Sequence, residues 1–409
     1  MTRPYAANFQ AIGLSPIVAI SEQIRSLAPQ FEAGGEKFAY LQRGELADPT
    51  PDFVVRATQR AVEAGLTRYP KAGGEPFFRD AVIEHLRTEH DIGGLGRENV
   101  LCTYGGQEGL QLVFGLFAGG RVLSFAPTWS CVLENTFPYT EYELVTTDLL
   151  EVGGRLAVDW VDLERKLATV DILYLNTPHN PTGKVFSREE IERIDAACRR
   201  YGVLIVSDEA YKDFVFDGRE HFSPLSLEGD HIIGVFTCSK SFAATGFRIG
   251  YTVCRDAELI ARLTLGEYTQ TAGVVPFIQK AFSEALLDQI ERPRWQAELL
   301  MKLERRRDLI CDRLQPWFGG TLYRPEGAFY LYPNLFGTLE IPRGAKPEEI
   351  ILQRFLDQGI AVVPGTAFGG KRYEQHVRLS FSGVDDETLT AALDRMLENI
   401  LLHRQRAAG

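Results

Sequence analysis

From about residue 40 to about residue 280, short apolar runs alternate with longer stretches in which apolar residues recur every three or four positions. Short apolar runs bounded by glycine or proline read as buried strands, and the longer spacing reads as helices with one buried face. Strands are predicted at Val100–Thr103, Arg121–Phe125, Leu144–Thr147, Ile172–Leu175, Leu204–Ser207, Ile232–Thr237 and Gly250–Val253. This alternation predicts an α/β fold with a mainly parallel, seven-stranded sheet between helices. Upstream lie an arm and one helix, Ser15–Ala28. Downstream, Arg292–Leu314 reads as a long helix rich in Arg and Glu that bridges two units. After it come strands near Gly327–Tyr332, Ala361–Val363 and Val377–Phe381, with helices at Pro347–Gln358 and Asp386–His403, a smaller α+β lobe. A chain of 409 residues exceeds one ordinary core. The expected division is an arm and part of the small domain at 1–45, a large domain at 46–290 and a small domain at 291–409.

Chemistry-bearing residues gather where the predicted strands end, which is where open α/β sheets bind ligands. The segment Thr237–Tyr251 reads Thr-Cys-Ser-Lys-Ser-Phe-Ala-Ala-Thr-Gly-Phe-Arg-Ile-Gly-Tyr. Lys240 offers an amine that can condense with an aldehyde. Thr237 and Arg248 offer a hydroxyl and a forked cation suited to a phosphate ester. Pyridoxal 5'-phosphate (PLP) carries both groups. Upstream, Asn176-Thr-Pro-His-Asn-Pro-Thr-Gly183 follows an apolar run, so Asn180 can donate to a ring hydroxyl. Asp208 sits past the run Val203–Val206, where a carboxylate can pair with a pyridine nitrogen and keep the ring an electron sink. Tyr211, three residues on, can reach the ring oxygen. Gly105, Gly106 and Gln107 stand between a strand and a helix, where unpaired amides favour phosphate. Trp129, after Phe125-Ala-Pro-Thr, can stack on a ring. Taken singly, each segment also reads as an Asn-Pro turn, a helix-capping aspartate, a glycine turn or a core tryptophan.

In this order the segments resemble the class I/II aminotransferases, PLP enzymes of fold type I related to aspartate aminotransferase and kynurenine aminotransferase. Gly44-Glu-Leu-Ala-Asp-Pro-Thr-Pro51, Tyr69-Pro-Lys-Ala-Gly-Gly-Glu-Pro-Phe-Phe-Arg79, Pro325–Leu331, Val363–Gly369 and Val377–Phe381 extend the resemblance over nearly the whole chain. The blocks look most like the kynurenine, methionine and aromatic aminotransferase group. The resemblance implies Lys240 as Schiff-base lysine and proton shuttle, Asp208 on the pyridine nitrogen, and Asn180 and Tyr211 on the ring hydroxyl. It implies a phosphate cup of Gly106, Gln107, Thr237 and Arg248, with Gly105 beside it and Trp129 on the ring face. Arg378 would clamp the substrate α-carboxylate, with Gly44 and Asn180 against the substrate. Tyr69 would reach the phosphate of the neighbouring subunit, which implies a homodimer. Three departures stand out: Leu46-Ala47-Asp48 replaces the family's Pro-Asp-Phe, Phe78 replaces leucine, and Phe247 replaces tryptophan.

The implied activity is transfer of the amino group of an L-α-amino acid to a 2-oxo acid. Elimination, cyclisation or oxidative deamination on the same scaffold is the alternative, because removal of the Cα proton is common to all. A net charge of −11 argues against nucleic acid or an anionic membrane as partner. Six cysteines show no metal-ligand spacing and read as reduced core thiols, so no metal is expected. No signal-peptide pattern opens the chain and no apolar run reaches a membrane span, so a cytoplasmic location is expected. Tyr104, Phe329, Tyr330 and Phe368 are candidates for an apolar substrate pocket, and Glu45 and Asp48 for a cationic one. No second carboxylate clamp is evident, which disfavours strict aspartate preference.

Overall fold

The computed structural model describes residues 10, 13, 16–117, 119–129, 142–318, 322–339 and 341–407. Ser15 of the first predicted helix and Cys131 fall outside them. A first short strand, β1 (Ala39–Tyr40), pairs away from the main sheet. The main sheet holds eight strands: β2 (Val100–Thr103), β3 (Gly120–Ala126), β4 (Tyr142–Val152), β5 (Arg155–Val158), β6 (Ile172–Asn176), β7 (Leu204–Asp208), β8 (Ile232–Thr237) and β9 (Gly250–Cys254). Their order is β2-β9-β8-β7-β6-β3-β4-β5. The sheet is mainly parallel: β9 opposes its neighbours β2 and β8, and β5 opposes β4. All seven predicted strands are present. The count of seven is corrected by β5, which returns on β4 through Gly153-Gly154 and adds an antiparallel edge. Two central residues at positive φ make the tight turn that such a hairpin needs.

Successive residues of a strand point to opposite faces and residues two apart share one, and the sheet sorts its side chains accordingly. Leu173, Leu175 and Ile205 join one apolar cluster with Phe78, Phe236 and Tyr251. Ile172, Tyr174 and Val206 join another with Leu110, Val113 and Phe114. Both faces are therefore covered, as a parallel sheet requires. Helices begin and end where the chain supplies caps. Ser187 and Glu190 form a capping box on the helix Arg188–Tyr201, and Gly202 closes it in the left-handed conformation.

A third cluster gathers Leu299, Leu303, Ile310, Phe329, Leu379, Phe381 and Leu393 with Leu41, Phe214 and Phe216. Small strands order it: β10 (Tyr330–Leu331), β11 (Ile360–Ala361), β12 (Val363–Pro364) and β13 (Val377–Ser380), with β1 on β11 and the order β10-β13-β12. The long helix Glu291–Leu314 spans the junction, and its Trp295 packs on both the first and third clusters. Gly183, at φ +75, lies against the 325–327 loop, where a Cβ would meet Pro325 at 2.6 Å and the Gly327 carbonyl at 2.8 Å. That close approach docks the C-terminal block onto the Asn180 loop, with the Glu326 and Gly327 amides both donating to the Gly183 carbonyl at 2.9 Å.

Phe78 is fully buried and meets Tyr251 edge-on at 6.4 Å. Phe78→Ala is expected to cost about 3–5 kcal/mol of unfolding free energy. Phe78→Leu, which keeps most of the volume, should cost less than half of that. Urea midpoints of the two variants check this, and equal losses would contradict the packing account.

Candidate active site

Parallel register sets the site. Asn176 at the end of β6 lies opposite Asp208 at the end of β7, and Asp208 lies opposite Val235, two residues before Thr237. Thr237 and Thr103 both face Gly250 across β9. The strand ends thus line one rim, and a cavity of about 280 Å³ opens above them. Its walls bring together Gly44, Gly106, Gln107, Trp129, Asn180, Asp208, Tyr211, Thr237, Lys240, Arg248 and Arg378 from the sequence-derived set.

Lys240 rides on the single turn Cys238–Ser241 and donates its amine to the Gly44 carbonyl. Burial lowers its pKa to about 8, against an opposing pull from Glu45, with Arg378 and Arg248 adding to the depression. Asp208 is 5% exposed. Burial pushes its carboxyl up to about 6, while Tyr174 and the Ala210 amide restrain the rise. Tyr174 donates to Oδ2 at 2.7 Å and the amide to Oδ1 at 3.2 Å. Asn176 braces this corner: its Nδ2 donates to the Asp208 carbonyl at 3.1 Å, and its Oδ1 accepts from the Asn180 amide at 2.6 Å.

A polar chain runs across the cavity. Arg378 Nη1 donates to Asn180 Oδ1 at 3.2 Å, Asn180 Nδ2 donates to the Tyr211 hydroxyl at 3.3 Å, and that hydroxyl meets the Tyr330 hydroxyl at 2.8 Å. Arg378 is 2% exposed, its Nη2 donates to the Gln42 carbonyl at 2.9 Å, and its Nε is buried without a partner. Its guanidinium lies 4.3 Å from the Tyr330 ring centre and 5.2 Å from that of Phe368.

Arg248 and the start of a helix form another wall of the cavity. Gly105 has φ +78, which strains a residue with a side chain, and a Cβ there would press on Arg248 Nη2 at 3.1 Å, so glycine suits this close approach. The helix Gly105–Leu116 begins here, with its first amides free of helical partners. Arg248 itself takes φ +53, a conformation that costs a residue with a Cβ. It is held by the Thr245 carbonyl at 3.1 Å and the Tyr104 carbonyl at 3.3 Å. Thr237 caps the Lys240 turn, its Oγ1 accepting from the Ser239 amide at 3.2 Å.

Tyr69 is not among the residues of this cavity; it is 93% exposed on a separate surface hollow with Arg68, Tyr104 and Phe277. Of the candidate pocket residues, Tyr330 lines the cavity, Phe368 backs Arg378, Phe329 is buried in the third cluster, and Tyr104 turns its hydroxyl to the Gly273 carbonyl. Asp48 is paired with Lys302 at 2.8 Å, while Glu45 stays beside Lys240 and 3.8 Å from Arg43. The sequence reading missed Tyr174, Asn176, Ser239 and Gln42. Tyr174 and Asn176 were the polar members of an otherwise apolar run, a signal that was available.

Residues 37–396 match the family "Aminotransferase class I and II". The chain belongs to this family. It is 32% identical over 401 residues to an aspartate/prephenate aminotransferase of Thermus thermophilus, covering 96% of this chain and 98% of that protein. It is 30% identical over 411 residues to aromatic-amino-acid aminotransferase 2 of Thermococcus litoralis, covering 95% and 100%. The structure of aspartate aminotransferase from Thermus thermophilus with maleate superposes with a TM-score of 0.86 at 29% identity, over 97% of this chain and 100% of that one. The fold is that of the PLP-dependent fold type I enzymes, and the activity is amino-group transfer. The named relatives give no support to elimination, cyclisation or oxidative deamination. Beside the kynurenine, methionine and aromatic likeness read from the motifs, they add aspartate and prephenate enzymes.

Asp208 yields a prediction for the cofactor-free protein. Its folded pKa, about 6, exceeds its ordinary 3.8, so the folded state gains from its proton at low pH and loses that gain as pH rises through about 6. Asp208→Asn should therefore stabilise the cofactor-free protein at about pH 8, by up to about 3 kcal/mol, and leave it unchanged near pH 3.5. Urea titrations at both pH values measure this; an equal gain at both would contradict it.

Proposed function

We propose that Lys240 holds PLP in this cavity and moves the α-proton of a bound amino acid during transamination. The observation that carries this reading is one cavity in which a buried amine, a buried carboxylate and two guanidinium groups converge. Their chemistry fits the group. Asp208 would pair with the ring nitrogen, Asn180 and Tyr211 with the ring hydroxyl, and Trp129 with the ring face. Thr237, Arg248, Gln107 and the amides at Gly105 and Gly106 would hold the phosphate. The unpaired Arg378 Nε and its neighbouring Nη groups suit a carboxylate, which takes a guanidinium in a forked pair. When bound, PLP supplies the electron sink that makes the α-proton acidic.

The residues then divide the work. Arg378 fixes the α-carboxylate and so turns the α-carbon toward Lys240. Lys240 must be neutral to take the proton, and the neutral share grows as pH rises through about 8. Asp208 must be ionised to hold a pyridinium proton, and a cation beside it favours that form. Gly44 offers its carbonyl to the amine.

The charged side chains among the described cavity residues are Asp208, Lys240, Arg248 and Arg378. Each has a role above, which leaves no cation for a second substrate carboxylate. Leu110, Trp129 and Tyr330 supply apolar wall. Donors with apolar or aromatic side chains fit better than aspartate. The exposure of Tyr69 supports its placement against the phosphate of a second copy, and hence a homodimer. Among the described residues, five unpaired, buried cysteines fit a reducing compartment such as the cytoplasm. Among the described residues no helix is long and apolar enough to cross a membrane.

Single-turnover spectroscopy tests this reading. PLP-loaded protein mixed with L-phenylalanine, without an oxo acid, should lose its visible band to the near-ultraviolet band of pyridoxamine phosphate, faster than with L-aspartate. Lys240→Ala should bind PLP without that conversion. Conversion at the wild-type rate by Lys240→Ala would refute the assignment.

A further inference from the structure

The turn Cys238–Ser241 is too short to hold its own shape, since one helical turn fixes several dihedrals for a single hydrogen bond. Beside the Thr237 cap at its start, support comes from Ser241 at its end. The Ser241 hydroxyl donates to Asp213 Oδ2, and its carbonyl accepts from Trp295 Nε1 at 3.1 Å. Asp213 Oδ1 accepts from Lys212 Nζ at 2.7 Å. The same amine meets His90 Nε2 at 3.0 Å and His85 Nε2 at 3.4 Å, both on the helix Pro76–His90. An ammonium has only donors, so each imidazole presents a lone pair and is neutral.

The electrostatics agree with that arrangement. Burial, then Lys212, holds both histidines well below their ordinary range, with Arg292 adding at His85 and the neighbouring His85 and His221 adding at His90. Burial opposes ionisation of Asp213, yet Lys212 and the Ser241 hydroxyl hold its carboxyl far below the usual carboxylate range. A buried ion pair is a poor source of stability compared with apolar residues of the same volume. What it does provide is one fixed geometry, and that geometry ties two functional segments together. Asp213 ends the turn that follows Asp208 and carries Tyr211, and Ser241 follows Lys240.

We propose that Ser241 and Asp213 are positioning residues, anchored by Lys212 and His90, that fix the Lys240 amine relative to Asp208. This rests on the reading of Lys240 as the cofactor lysine. It extends the functional set to a buried network behind the cavity that touches neither cofactor nor substrate.

Ser241→Ala removes the link while leaving the Lys212–Asp213 pair in place, and Ser241→Thr keeps the hydroxyl. In PLP-loaded protein, Ser241→Ala should lower the single-turnover rate roughly tenfold and leave the half-saturating amino acid concentration within about twofold. In cofactor-free protein, pH-dependent amine labelling read at Lys240 should show its pKa moving from about 8 up toward the ordinary 10.5. Ser241→Thr should restore both. Wild-type rate and labelling profile in Ser241→Ala would overturn the proposal, even with a lowered melting temperature. If Ser241→Ala does not fold, Ser241→Cys carries the same test. If the wild-type protein forms no PLP adduct at Lys240, the cofactor reading fails, and the labelling profile in cofactor-free protein still decides the positioning claim.

Discussion

A buried cation without an anion organises this molecule. Arg378 is almost wholly enclosed, and no carboxylate among the described residues lies within ion-pair distance of it. An enclosed charge is costly unless it is hydrogen-bonded or paired. Here the charge is shared among the Gln42 carbonyl, Asn180 and two aromatic faces. These partners come from segments far apart in the chain, so the N-terminal strand region, the Asn180 loop and the C-terminal block must all be docked before the guanidinium is satisfied. Even then Nε is left without a partner. On the function proposed above, that donor would be met by the substrate carboxylate.

The same economy of burial tunes the other two ionisable groups. Lys240 is depressed and Asp208 raised, and in both cases removal from water is the largest cause. Burial therefore moves them toward their neutral forms together. A ligand that brings an anionic phosphate, an anionic carboxylate and a basic ring nitrogen supplies counter-charges at each of the sites where the protein lacks them. Preorganisation of this kind costs stability in the cofactor-free chain, as the buried carboxylate illustrates, and directs binding energy to the reacting centre.

Much of this was legible in the chain. Strand ends were readable because buried parallel strands are short apolar runs, and the functional residues follow them directly. The seven strands of the alternating pattern are all there. The eighth, Arg155–Val158, escaped because it is short, half-exposed and begins on a charge; the Gly-Gly pair before it was the available signal. Roles that depend on contacts between distant segments were not legible. Nothing in the spacing shows that Asp48 is taken by Lys302, that Phe329 faces the core, or that Ser241 reaches Asp213. Tyr174 stood out as a polar member of an apolar run, but its role was not legible, because its hydroxyl matters only through Asp208 at the end of the adjacent strand. Tyr69 shows the reverse case, a motif residue whose surroundings in one chain give it no partner in the cavity.

The measurement that bears most directly on the central claim is a crystal structure of the PLP-loaded protein with a non-reactive amino-acid analogue bearing one carboxylate. The account predicts both carboxylate oxygens within hydrogen-bond distance of the Arg378 guanidinium, with Nε or its neighbouring Nη groups as donors. A carboxylate bound elsewhere, with the Arg378 donors left as they are in the ligand-free chain, would contradict it.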